Sequence, residues 1–152
     1  FRAGSGWAAP ENWGCWTQGG DARIEIRVEA DRSRPLRLFF GLRGGPQPVT
    51  SWRLETAGHH LARGRLAADD THWVTRTISP ALIRAGILRL RIVSADASGA
   101  AGNGSQSQHS VGVIGFMICD ADDTVARSDF VEAMTTGSLD LLAEPAAAPE
   151  RV

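Results

Sequence analysis

Arg23-Ile24-Glu25-Ile26-Arg27-Val28-Glu29 alternates charged and apolar residues without a break. A period of two with one charged face is the pattern of a β-strand buried on one side and wetted on the other. The stretch Leu36 to Leu42 repeats it, with Leu36, Leu38, Phe40 and Leu42 on one face and Arg37, Phe39 and Gly41 on the other. Ile87 to Val93 does the same, setting Leu88, Leu90 and Ile92 opposite Arg89 and Arg91. Between these lie Val49 to Thr56, His60 to Leu66 and Thr71 to Ile78, the last rich in the β-branched and aromatic residues that suit strands. Val111 to Ile118 is nearly all apolar and reads as a strand covered on both faces.

The punctuation fits the same scheme. Asp31 to Pro35, Gly44-Gly45-Pro46, Gly58 and Asp69-Asp70 mark turns. Ser79-Pro80 can cap one helical turn through Ile83, with Gly86 ending it. Seven or eight strands with frequent turns and no strand–helix alternation predict an all-β chain, an antiparallel β-sandwich or jelly roll. After Asp120 the period changes. Ser128 is a candidate N-cap, and Phe130, Val131 and Met134 share one face of a short C-terminal helix over about 128–136 that Gly137 would end. The expected organisation is one sandwich domain over 1–135, a mobile Ser/Gly-rich loop at about 95–110, and a linker or frayed tail over 137–152.

Composition limits function. At 152 residues the chain has one domain's length, with 43% apolar and 22% charged residues. A net charge of −1 provides no field for nucleic acid or an anionic membrane. All 16 cationic residues are Arg, a bias we read as genomic base composition. No apolar run is long enough to span a membrane and no signal peptide is visible, so the expected location is cytoplasmic. The chain starts at Phe1 with no initiator Met, which suggests either a processed N-terminus or excision from a longer protein. Cys15 and Cys119 are too few for a disulfide framework; two buried free thiols are expected, with a single disulfide as the alternative.

Catalytic constellations are missing from the sequence: there is no P-loop, no dinucleotide fingerprint and no zinc spacing, so no catalytic residue and no cofactor are expected. Asp120, Asp122 and Asp123 could offer oxygen ligands to a structural calcium, although their simpler reading is a solvated turn leading into a helix N-terminus. The distinctive segment is Gly6-Trp7-Ala8-Ala9-Pro10-Glu11-Asn12-Trp13-Gly14-Cys15-Trp16-Thr17. Indole faces stack on the C–H side of sugar rings, and carboxylates or amides nearby bind hydroxyls. The competing expectation is structural, with two of these three Trp in the fold and Trp13 or Trp16 packed between the sheets.

This segment, the strand Ala22 to Val28 after it, and His109-Ser110-Val111-Gly112-Val113-Ile114-Gly115 resemble the carbohydrate-binding-module-like β-sandwich domains of bacterial glycosyltransferases that build surface polysaccharide. The resemblance covers roughly residues 4 to 119. It implies a non-catalytic accessory module whose partners are carbohydrate and the catalytic domain of the same parent chain. The sugar contacts expected on these grounds are Trp7, Glu11, Trp13 and Arg43, with Trp52 or Trp73 in reserve. The alternative is a structural or protein-interaction sandwich that uses its indoles or the C-terminal helix for docking. A jelly-roll lyase or hydrolase is a third, minor reading.

Overall fold

The computed structural model describes residues 2–29, 33–46, 48–96 and 109–136. Nine strands form two antiparallel sheets. They are β1 (Arg2–Ala3), β2 (Cys15–Gln18), β3 (Asp21–Arg27), β4 (Leu36–Gly44), β5 (Val49–Thr56), β6 (His59–Leu66), β7 (Thr71–Ile78), β8 (Ile87–Asp96) and β9 (His109–Asp120). One sheet runs β1-β3-β8-β5-β6 and the other β2-β9-β4-β7. Apart from the β5–β6 hairpin, successive strands pass from one sheet to the other, the habit of a jelly roll. The all-β sandwich expected from alternation is therefore the fold observed.

The core forms where the two inner faces meet. Leu36, Leu38, Phe40, Leu42, Val74 and Ile78 from the four-stranded sheet pack against Ile24, Trp52, Leu54, Leu88, Leu90 and Ile92 from the other. Trp52 is 1% exposed and is the indole between the sheets. That corrects the expectation for Trp13 or Trp16, which lie on an outer surface instead. Room for Trp52 comes from Gly64 on β6, where an added Cβ would sit 3.0 Å from the indole ring. Both cysteines are free thiols and half-buried. Burial pushes the Cys15 thiol above its ordinary pKa, and the Glu11 carboxylate adds to that rise.

The outer face of the five-stranded sheet is a lattice of ion pairs. Arg89 Nε lies 2.9 Å from Glu25, and Arg91 grips both Asp21 oxygens at 3.0 and 2.7 Å. Those hydrogen bonds from Arg91 hold the Asp21 carboxyl below the usual carboxylate range. A folded-state pKa below the unfolded one gives stability present above the ordinary Asp value and lost as pH falls through the folded value. Asp21→Asn is therefore expected to melt slightly below wild type at pH 7, and the two melting curves should converge as pH falls from about 5 toward 2. The gap should be small, because both partners are well exposed and solvent screens them.

The chain divides into two compact units, residues 1–121 and 122–152. The second carries α1 (Thr124–Thr136). It starts four residues before the Ser128 proposed as its cap. Asp123 performs that role, its Oδ1 accepting from the Ala126 N–H at 2.9 Å. The loop expected at 95–110 falls largely, and the tail at 137–152 wholly, outside the described residues. No helix among the described residues is long and apolar enough to cross a membrane.

Candidate functional site

The Trp-rich segment folds into a hairpin. Its tip closes through paired backbone hydrogen bonds between Glu11 and Gly14, at 2.8 and 3.2 Å. The outgoing arm becomes β2, which pairs with β9 at the sheet edge. The incoming arm runs beside β2, with Ala8 N–H donating to the Trp16 carbonyl and Gln18 N–H to the Gly6 carbonyl. Gly14 allows this close approach. Its φ is +151°, and a Cβ there would stand 2.1 Å from the Val113 carbonyl oxygen.

Alternation along β2 then sorts the side chains. Thr17 is fully buried, and its hydroxyl accepts from the Val111 N–H at 3.1 Å. Trp16 faces outward, in register with Gly112 on β9. Trp13 joins it edge-to-face, ring centroids 4.8 Å apart with planes at 69°. The Glu11 carboxylate ties the pair together: Trp13 Nε1 donates to one oxygen at 2.6 Å and Trp16 Nε1 to the other at 3.0 Å. The Arg43 guanidinium lies over the Trp13 ring, 4.9 Å from its centroid, a cation–π contact.

Beyond this cluster the sheet has a floor of glycine. The would-be Cβ of Gly112 meets Trp13 at 2.7 Å and Trp16 at 3.1 Å, so both indoles rest on bare backbone there. Gly115 of β9 has nothing within 4 Å of its would-be Cβ. Its neighbour across the ladder is Gly41 of β4, which pairs in turn with Trp73 of β7. The Trp73 ring lies over Gly41, 2.4 Å from where a Cβ would stand, and the residue is 38% exposed. A shallow trough results, with Gly115 as its uncovered floor, Trp13, Trp16 and Arg43 to one side and Trp73, lying over Gly41, to the other.

Gly112 and Gly115 are three apart, so on a regular strand they would face opposite ways. A β-bulge between Val113 and Gly115 makes Ile114 an extra residue and returns both glycines to the outer face.

Of the four residues expected to contact sugar, the structure brings Glu11, Trp13 and Arg43 together. It places Trp7 elsewhere. Trp7 bridges to Thr17, packs against the core, and donates its N–H to the Arg23 carbonyl at 2.8 Å. Of the reserve residues, Trp52 is sealed in the core and Trp73 is on the trough. Sequence reasoning did not select Trp16, Gly41, Gly112 or Gly115; glycines at outward strand positions are the signal that could have found the floor. As for a metal, no three His, Cys, Asp or Glu side chains converge among the described residues. Asp120 makes a long ion pair with Arg34 at 4.0 Å, and Asp123 caps α1.

A second depression, about 640 Å³, lies on the five-stranded sheet beside Glu25, Glu55, Arg89 and Arg91. Its charged side chains largely satisfy one another, and the buried, unpartnered hydroxyl of Thr56 shares the inward face with Leu54 and Leu90.

No family model and no curated protein matches the sequence. Among solved structures, the carbohydrate-binding module CBM36 in complex with calcium and xylotriose aligns with a TM-score of 0.45 at 7% identity, over 78% of this chain and 92% of that one.

Proposed function

We propose that this sandwich is a non-catalytic carbohydrate-binding module, and that it serves as an accessory domain of a larger cytoplasmic bacterial glycosyltransferase of surface-polysaccharide synthesis. The observation that carries the binding reading is the trough itself. Indoles on either side leave the backbone of Gly115 bare, so a flat sugar ring can approach the sheet there more closely than side chains elsewhere allow. Glu11 and Arg43 at the rim can engage hydroxyls. The link to a glycosyltransferase rests on the motif resemblance of the Trp-rich hairpin and the closing strand. Weak monovalent affinity suffices in such a setting, because tethering raises the effective concentration of glycan at the catalytic domain.

Titration with oligosaccharides, followed by Trp fluorescence and calorimetry, tests the binding reading. Saturable binding in the millimolar range or tighter is expected. Trp73→Ala should weaken it by about tenfold, the effect of losing one aromatic contact, in a domain that circular dichroism shows still folded. A flat titration with every glycan class, or a Trp73→Ala variant that binds as wild type does, counts against it. The alternative, a docking domain, has its own support in α1, where Val125 is 68% and Val131 50% exposed. Flat titrations together with concentration-dependent sedimentation would favour that reading.

A further inference from the structure

Some strand arginines are paired with carboxylates and others are not. On the five-stranded sheet Arg23, Arg53, Arg89 and Arg91 each lie within 4.0 Å of a carboxylate. Arg43, half-buried on the four-stranded sheet, has no carboxylate within 4.0 Å among the described residues. Its neighbours across the ladder are Gly112 and Thr71, neither of which carries charge. The carboxylate nearest in the cluster, Glu11, already has both oxygens engaged by the indole N–H groups of Trp13 and Trp16. What holds Arg43 is the face of Trp13, which positions the guanidinium yet uses none of its five N–H donors.

Resting on the carbohydrate reading above, we propose that Arg43 makes the trough selective for glycans containing a uronic acid, by pairing with the sugar carboxylate. A planar guanidinium matches a carboxylate with two parallel hydrogen bonds, and such charge-assisted bonds are about twice as strong as neutral ones. The aromatic stack on Trp13 fixes the plane of the fork beforehand, so little side-chain freedom is lost when the anion arrives. A neutral sugar at the same place would leave the cation with hydroxyl partners only.

The experiment compares uronate oligosaccharides with neutral oligosaccharides of the same length and linkage, titrated into the whole chain at low and at physiological salt. Wild type should prefer the uronate by about tenfold at low salt, and the preference should shrink as salt is added. Arg43→Gln should bind both glycans equally, having lost more affinity for the uronate than for the neutral sugar, and circular dichroism would verify its fold. Equal wild-type affinity for the two glycans would overturn charge selection while leaving sugar binding intact. Arg43→Gln retaining the preference would also overturn it, by moving the selecting cation elsewhere. Binding of neither glycan would remove the carbohydrate reading and this inference with it.

Discussion

Trp52→Ala is expected to cost about 3–5 kcal/mol of folding stability, the range seen when a buried large aromatic is truncated. Domains of this kind are typically stable by about 5–15 kcal/mol, so the variant should be at the edge of folding at 37 °C. The indole is 1% exposed and has Leu54 two positions along its own strand and the His72 ring across the sandwich at 5.8 Å. Its removal leaves a void that β-sheet backbones on both sides cannot collapse into. Trp52→Phe separates size from polarity. The Trp52 N–H is buried without a hydrogen-bond partner, a liability that phenylalanine does not have. The Phe variant should therefore lose less than half of what the Ala variant loses. Urea denaturation read by circular dichroism measures both, and a Trp52→Ala midpoint close to wild type would show that the site repacks.

Gly14→Val should have the second largest effect, and a different one. A β-branched residue at φ +151° carries backbone strain of about 1–3 kcal/mol. Its Cβ would also overlap the Val113 carbonyl oxygen, which belongs to the neighbouring strand and has nowhere to retreat. The hairpin tip must open, and with it the bond pair between Glu11 and Gly14. Once Glu11 is displaced, Trp13 and Trp16 lose their shared acceptor and their seat on Gly112. The expected result is complete loss of glycan binding and a red-shifted Trp emission, while the far-UV spectrum retains its β signature because the core strands are untouched. Retention of binding by Gly14→Val would show that the hairpin tip does not organise the trough.

These two sites also mark how far the residues could be read in advance. The strands were legible because burial writes a period of two into the chain: Ile24 and Ile26 between Arg23, Glu25 and Arg27 can be read only one way. The partition into two sheets was accessible at the level of fold class, since strands without intervening helices must stack on one another. The location of the indoles was not. Hydrophobicity alone sends Trp13 and Trp16 to the core as readily as Trp52. What decides is a carboxylate, Glu11, placed to satisfy both N–H groups on an outer surface, and that geometry depends on the turn at Asn12-Trp13. The glycine floor was hidden for another reason. The extra residue Ile114 breaks the alternation of β9, so counting by twos assigns Gly112 and Gly115 to opposite faces. Residue type held that information only in the form of missing side chains.

That bulge has a consequence for how such a surface can change over time. The extra residue places Gly112 and Gly115 on one face although they are three apart. Point substitutions along the rim can alter the chemistry of the surface while its shape survives. Loss of the single residue Ile114 would leave Gly112 and Gly115 two apart and still on the outer face, on a β9 that no longer carries the local bend and extra twist of the bulge. The facing of the two glycines thus tolerates loss of the extra residue, while the local twist of the surface does not.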